Sequence, residues 1–367
     1  MPEVLRNDLF EHTADESKLS GFYVLRKFPP AIPGFLPQVI VYDNSSTVIA
    51  PETPALINPD LFRSIEDGDI ASINSNGKIR VILSRRANHN TLLLTERCDN
   101  RCQFCSQPPK DADDSWLLEQ AILAICAFKL DGEIGLSGGE PLLYRDDFIK
   151  LLDTTIEHAP RTRLHILTNG RAFADLSFAK SVAKRTEHIS MSFGIPLYAA
   201  NSAIHDKLVG AEGAFNETVK GIINAGNSGI NIELRFIPTR ENAQELPFVA
   251  EYANRVFTNI NQISVMNMEP MGWARKNWDG LYLHPLEYPL TLENAAKITR
   301  QNNTPLYLFN YPLCHLPEHL HELSIQSISD WKNYYPEECT SCSMKSRCGG
   351  FFASAKGKFL QSPQRYV

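Results

Sequence analysis

The chain has 367 residues, 43% hydrophobic and 21% charged, with a formal net charge of −6. This length suits one large α/β domain with attachments, or two to three domains, and the acidic balance argues against a dominant nucleic-acid surface. No apolar run approaches the ~20 residues of a membrane helix, the mixed-charge stretch Met1–Asp8 lacks a signal-peptide core, and eight cysteines in such a chain read as metal ligands in a reducing cytoplasm rather than as disulfides.

Residues 1–88 read as a β-rich domain. Gly21–Arg26 and Gln38–Tyr42 have the aromatic and β-branched content of strands. Pro29, Pro30, Pro33 and Pro37 exclude a helix between them. Asp69–Ile73 and Lys78–Leu83 flank Asn76-Gly77, a type I′ hairpin signal. A small, strongly bent sheet or barrel is expected, serving as a packing module.

From residue 89 to about 300 the pattern becomes strand–helix alternation. Strands are expected at Thr91–Glu96, Glu133–Leu136, Arg163–Leu167, His188–Phe193, Asn231–Ile237 and Gln262–Asn267. The helices between them are Ser115–Lys129, Asp146–His158, Phe173–Lys184, Asn216–Ala225 and Gln244–Val256. Six such units predict an α/β fold: a partial (β/α)6 TIM-like barrel, with helices outside and functional residues at the strands' carboxyl ends. After about 270 the repeat breaks down. A helix is expected at Thr291–Gln301 and a strand at Pro305–Asn310, and residues 301–367 form a cysteine-bearing C-terminal region.

Three chemical motifs stand on this frame. Cys98-x3-Cys102-x2-Cys105 follows the first strand of the alternation, and three thiolates on so short a loop can converge on one inorganic centre. A structural zinc site would want a fourth ligand, and no His or further Cys lies close by in sequence. One repeat later, Ser137-Gly138-Gly139-Glu140-Pro141 leaves the second strand, pairing backbone that a ligand can approach with a carboxylate able to accept hydrogen bonds from an ammonium group. Thr168-Asn169-Gly170 and Ser192 end the third and fourth strands. Arg235, on the fifth, reads either as partner for a bound carboxylate or as a structural arginine. The tail carries Cys314 and then Cys339-x2-Cys342-x5-Cys348, a complete ligand set for zinc or for a [4Fe-4S] cluster, which spacing alone does not separate. Cys126 reads as a small buried apolar residue. His205-Asp206 falls in a loop after the fourth strand. His315, His319 and His321 read as loop histidines or as donors to a tail centre, and Trp273, Trp278 and Tyr282 as packing or as the border of a cleft. No residue stands out as a general acid or base.

The Cx3Cx2C loop followed by Gly-Gly-Glu resembles the radical S-adenosylmethionine (SAM) family. The resemblance implies a [4Fe-4S] cluster on Cys98, Cys102 and Cys105, with SAM on its open iron. It also implies contacts to SAM from Gly138, Gly139 and Glu140, and from Thr168, Ser192 and Arg235. The tail is similar to the SPASM or twitch regions of peptide-modifying members, which implies one auxiliary [4Fe-4S] cluster on Cys314, Cys339, Cys342 and Cys348. It departs from a full SPASM domain in having Gly349-Gly350-Phe351-Phe352 where further cysteines would follow.

A closer resemblance, to His-Xaa-Ser system radical SAM maturases of the HxsC type, is carried by Asn90–Cys98, Cys105–Lys110, His165–Arg171, Ile328–Lys332 and Cys348–Phe352. It implies reductive cleavage of SAM to a 5′-deoxyadenosyl radical and hydrogen abstraction from a ribosomally made peptide. The auxiliary cluster would take or relay an electron, giving an oxidative change such as a side-chain crosslink. A flavodoxin- or ferredoxin-type electron donor, a second radical SAM maturase and small accessory proteins are the implied partners, with no nucleic acid and no membrane. The alternatives are a radical SAM enzyme acting on a protein side chain or a small metabolite and, more remotely, a non-catalytic zinc-binding adaptor.

Overall fold

A computed structural model describes residues 21–28, 34–44, 55–74, 77–326 and 332–366. The stretch Met1–Asp8, the prolines at 29, 30 and 33, position 76 of the hairpin turn and the segment 328–331 lie outside the described residues.

The N-terminal unit is a five-stranded mixed sheet built from β1 (Gly21–Arg26), β2 (Gln38–Tyr42), β3 (Ala55–Ile57), β4 (Ile70–Ile73) and β5 (Ile79–Leu83), in the order β3-β2-β1-β4-β5. The expected β4–β5 hairpin is present as an antiparallel pair. Helix α1 (Pro59–Ser64) starts where the Asn58 side chain accepts the Leu61 N–H at 2.8 Å, which satisfies one of the free donors of its first turn. One face of the sheet closes on α1 through Leu25, Val39, Leu56 and Leu61. The other face, with Phe22, Val24, Ile70 and Leu83, joins the core of the larger unit. Phe22 N–H donates to Gln120 at 3.1 Å, and the Arg85 guanidinium donates to the Phe128 carbonyl at 2.8 Å. The two sheets thus share buried apolar surface through one helix.

That helix is α2 (Ser115–Phe128), the first outer helix of an all-parallel sheet. The strands β6 (Asn90–Thr95), β7 (Glu133–Gly138), β8 (Arg163–Leu167), β9 (Met191–Pro196), β10 (Asn231–Phe236) and β11 (Ile260–Met266) follow in chain order across it. Helices α3 (Asp146–His158) and α4 (Leu176–Ala183) separate the earlier strands. α5 (Ser202–Val209) and α6 (Ala214–Asn227) come between β9 and β10, and α7 (Leu246–Val256) between β10 and β11. Alternate strand residues, among them Ile166, Phe193, Ile195, Ile232, Leu234, Ile263 and Val265, are fully buried against these helices. The intervening positions, His165, Ser192, Glu233, Arg235, Gln262 and Ser264, point to the opposite, inner face, as the two-residue period of a strand requires.

Several expected elements shift. β9 begins at Met191, after a 3₁₀ turn over Lys184–Glu187, rather than at His188. The predicted helix Phe173–Lys184 divides into a 3₁₀ turn, Arg171–Ala174, and α4, because the Asp175 side chain caps the N–H groups of Ser177 and Phe178 and restarts the helix. His205 and Asp206 lie in α5, not in a loop. Asn201 caps that helix and Gly210 ends it in the left-handed conformation, two local signals around only eight residues.

The sheet also extends past the sixth strand. After the short helices α8 (Gly272–Lys276) and α9 (Trp278–Leu281), α10 (Pro289–Gln301) leads into β12 (Leu306–Phe309), which pairs parallel with β11. β13 (Ser324–Ile325) then pairs parallel with β12, so the sheet has eight strands rather than six. The irregular stretch 267–288 hid the period, and a two-residue strand carries no pattern to read. A final ribbon, β14 (Asn333–Tyr334) with β15 (Phe351–Phe352), holds the tail.

Candidate active site and tail cysteine cavity

The cysteine loop leaves the carboxyl end of β6. β6 ends at Thr95, whose hydroxyl bonds the buried Asp114 carboxylate at 3.0 Å and accepts the Arg97 N–H at 3.0 Å. Beyond it the loop is held by backbone bonds from Arg101 N–H to the Val209 carbonyl (2.7 Å) and from Gln103 N–H to Leu208 (2.9 Å), at the end of α5. On the other side Trp273 N–H donates to the Cys105 carbonyl (2.8 Å), and the Asn277 side chain donates to the Gln103 carbonyl (2.7 Å). Phe104 is buried edge-on against Tyr198 at 4.8 Å between ring centres.

The three thiols lie within mutual electrostatic reach. Burial pushes Cys98 up to about 12, and burial together with Cys105 and Cys98 pushes Cys102 higher still. Such thiols ionise when a cation replaces their protons, which is how metal binding and thiolate formation are linked. The Asn100 N–H already points at Cys98 Sγ, at 3.4 Å. Three thiols on one short loop, each within reach of the others, fit the ligand set of an iron–sulfur cluster with one open iron.

Gly138 and Gly139 do their work against this loop. The Cβ of any other residue at 138 would lie 2.3 Å from the Thr95 carbonyl oxygen, with φ at +153°, and at 139 it would lie 2.0 Å from the Arg97 carbonyl oxygen. The gap is closed by backbone bonds from Gly139 N–H to Thr95 and from Glu140 N–H to Arg97, both 2.8 Å. Gly139→Ala is expected to displace the cysteine loop, at about 2 kcal/mol or more. Thermal unfolding and iron content per chain measure this together. An alanine variant with wild-type melting and full iron would show that the loop yields freely.

Glu140 is almost wholly buried. Its carboxylate accepts the Leu142 N–H (2.9 Å), the Thr168 hydroxyl (2.6 Å) and the Asn169 N–H (2.5 Å). Burial pushes it up to about 7 against those three bonds. Thr168 thus meets Glu140 rather than standing alone at the strand end. Asn169 Nδ2 donates to Asp99 (2.6 Å), and the Arg171 guanidinium bonds the Asp99 carbonyl (2.9 Å) and the Asn100 side chain (2.8 Å). Asp99, Asn100 and Arg171 were not singled out from the sequence, although each lies within or beside a motif. Their role needs two loops 70 residues apart to touch.

Ser192, the second residue of β9 and so near its start rather than at the expected strand end, belongs with Arg235 to a second cluster on the inner face. Ser192 Oγ lies 2.8 Å from His165 Nδ1, and His165 Nε2 lies 3.0 Å from Glu233, which faces Arg235 at 3.8 Å. Burial raises the Glu233 carboxyl, but Arg235, His165 and Ser264 outweigh it and bring it down to about 2. Tyr198 feels the charges of both Arg235 and Cys102, which connects this cluster to the cysteine loop. His165 and Glu233 went unassigned, yet polar residues at alternate positions in apolar strands were a readable signal.

Glu233→Gln leaves Arg235 and His165 without their buried partner, at a cost on the order of 3 kcal/mol near neutral pH. Because the folded state holds this carboxyl below its ordinary 4.5, the stabilisation is complete above that pH and is lost as pH falls toward 2. Denaturant titrations of both proteins at pH 7 and pH 3 should show the gap narrowing. A gap that does not change with pH would assign the loss to packing instead.

The four tail cysteines converge. Cys314, Cys339, Cys342 and Cys348 line one small cavity with Pro312, Leu313 and Phe351. Backbone N–H groups of Leu313 (3.3 Å) and Gly350 (3.4 Å) point at Cys348 Sγ, and that of Tyr366 points at Cys342 Sγ (3.4 Å). Burial, reinforced by Cys348, Cys314 and Cys342, pushes Cys339 up to about 11. Four thiols with inward N–H donors and apolar walls fit a sulfur-ligated cluster. The histidines nearby are engaged in holding the chain: His315 Nε2 lies 3.2 Å from the Ser362 carbonyl, and His321 bonds the Leu313 and Leu316 carbonyls. Trp278 and Tyr282 stack at 4.2 Å inside the core that holds Phe104, so they pack rather than line a cleft. Cys126 is buried, as expected.

The stretch from β6 to α7 that carries these motifs matches the model of the radical SAM superfamily, over residues 92–253. A 198-residue region, 51% of this chain and 49% of the relative, is 25% identical to a PqqA peptide cyclase from Granulibacter bethesdensis. The chain thus spans about half the length of the curated relative it matches. Among solved structures, the chain is similar to SuiB from Streptococcus suis bound to S-adenosylmethionine, at 17% identity over 59% of this chain and 49% of that one, with a TM-score of 0.45. It is also similar to a radical SAM methyltransferase from Sphaerobacter thermophilus, at 14% identity over 67% of this chain and 74% of that one, with a TM-score of 0.46. No helix among the described residues is long and apolar enough to cross a membrane.

Proposed function

We propose that this protein is a radical SAM maturase that oxidatively modifies a ribosomally made peptide, for example by a side-chain crosslink. The observation that carries the reading is the convergence, at the carboxyl ends of β6, β7 and β8, of the cysteine loop, the Gly138–Glu140 turn and the Thr168–Arg171 loop beside a polar inner sheet face. Cys98, Cys102 and Cys105 would hold a [4Fe-4S] cluster, and SAM bound there supplies a 5′-deoxyadenosyl radical able to take hydrogen from an unreactive C–H bond.

The chain's own residues position and shield that chemistry. Glu140, fixed by Leu142, Thr168 and Asn169, holds the Gly-Gly turn against the cysteine loop and presents negative charge beside it. Arg235 offers a guanidinium for the carboxylate of SAM, with Glu233 and His165 fixing its place, and Ser192 offers a hydroxyl on the same face. Cys314, Cys339, Cys342 and Cys348 would hold one auxiliary [4Fe-4S] cluster. Residues 89–300 form the catalytic unit in this reading, with 1–88 as a packing domain and 301–367 as the cluster-bearing tail.

The likeness to a peptide cyclase supports a peptide substrate. The HxsC-type runs point to one with His-Xaa-Ser repeats, matured in the cytoplasm with a flavodoxin- or ferredoxin-type donor, a second radical SAM maturase and accessory proteins. The deciding experiment is mass spectrometry of the peptide encoded beside this gene after anaerobic co-expression. Loss of hydrogens mapped to a His-Xaa-Ser segment is the expected result. An unchanged peptide alongside 5′-deoxyadenosine would retain the radical chemistry and overturn this substrate.

A further inference from the structure

From Cys339 to Tyr366 the chain carries Lys345, Arg347, Lys356, Lys358 and Arg365 and no Asp or Glu, within a protein of net charge −6. All five side chains are exposed. Among the described residues none of them forms an ion pair with a carboxylate. Lys345 and Lys356 instead lie over the rings of Tyr335 and Tyr334, at 5.6 and 4.6 Å. Unpaired cations of one sign on an acidic protein make a local field that attracts a negatively charged partner.

Their position narrows what that partner is. Lys345 lines the four-cysteine cavity together with Met344 and Tyr366. Met344 and Tyr366 also line an open surface groove with Arg347, His319 and His321, so two side chains separate that groove from the cysteine cavity. Glu318 and Glu322 line the same groove, and Glu322 is already paired with Arg300. Lys345 and Arg347 therefore flank the two side chains shared by the groove and the cysteine cavity, with the exposed Glu337 and Glu338 just before Cys339.

We infer that this face is the docking surface for an acidic one-electron carrier protein. The inference rests on reading the tail cysteines as cluster ligands, and it adds to that reading where the electron enters. With a flavodoxin as carrier, the anionic flavin hydroquinone becomes the neutral semiquinone, and the electron it releases passes to the four-thiolate centre. Charge complementarity of this kind acts mainly on the association rate and weakens with salt.

The test uses the full-length, cluster-loaded protein and an acidic flavodoxin as probe. The triple variant Arg347→Glu/Lys356→Glu/Lys358→Glu avoids the cysteines and the cavity-lining Lys345. The control, Arg161→Glu/Lys180→Glu/Lys220→Glu, changes net charge equally at exposed sites on the catalytic unit. Stopped-flow oxidation of flavodoxin hydroquinone should slow by about tenfold or more in the tail variant and by less than about twofold in the control, with the wild-type rate falling as salt rises. Dithionite-driven peptide modification should be unchanged in the tail variant, which separates lost docking from misfolding.

Equal rates in the two variants, or no salt-sensitive flavodoxin binding by the wild type, would overturn the inference. So would loss of peptide binding in the tail variant with flavodoxin oxidation intact, since the face would then be a substrate site. Salt-sensitive flavodoxin binding at this face by a protein whose tail holds zinc would uphold the docking surface and refute the cluster reading instead.

Discussion

Replacing Cys102 with alanine is expected to lower bound iron from about eight to about four atoms per chain and to bring SAM cleavage down to the background of cluster-free protein. The substitution is small, and Cys102 packs beside the Phe104 and Tyr198 core, so the loop keeps most of its apolar contacts. Its backbone tethers to α5 and α8 run through Arg101, Gln103 and Cys105 and do not involve the Cys102 thiol. The fold should therefore survive while one of three thiolate ligands is lost. Two remaining thiols, both raised by burial, cannot keep a cube with an open iron. On the proposed reading, the four irons left would belong to the tail. Iron analysis, thermal unfolding and chromatographic assay of 5′-deoxyadenosine read the three parts separately. Wild-type cleavage by the alanine variant would remove this loop from the chemistry.

The double variant Cys339→Ala/Cys342→Ala is expected to have the reverse profile. Bound iron should again fall to about four per chain, yet dithionite-driven SAM cleavage should continue, because the first centre is held by other elements. The peptide should come through unmodified. The four tail thiols share one cavity, so removing two leaves the remaining pair without the donors that any cluster or ion there needs. Cleavage without product would separate radical generation from oxidation of the peptide. Full product from this variant would end the idea that the tail takes part in electron flow. One zinc per chain in the wild type, lost in the variant with product intact, would make the tail a structural staple.

Much of this was legible in the sequence because the chemistry is local. Three cysteines within eight residues converge on any short loop, and a glycine pair after a strand marks a close approach whatever it approaches. What it approaches was not legible. Gly138 and Gly139 fit tightly against Thr95 and Arg97, more than 40 residues earlier, and only the parallel pairing of β6 with β7 sets that distance. The six-strand count fell short for a similar reason. β12 was expected as a strand but stood outside the repeat, which the irregular stretch before it interrupts, and β13 is too short to carry a period; both join the sheet by hydrogen bonding to an edge already present.

By itself, then, the sequence determined the alternation of strands and helices, the two cysteine sets and the order of motifs along the strand ends. Each follows from backbone period or from ligands close together in the chain. The tertiary structure alone decided that Glu140 is held by Thr168 and Asn169, that Asp99 meets Asn169 and Arg171, and that His165 and Glu233 join Ser192 to Arg235. It also decided that Cys314 reaches Cys348 across 34 residues. Those contacts arise between loops and strands that are neighbours only in the folded sheet, where register and side-chain direction, not spacing along the chain, set what can touch.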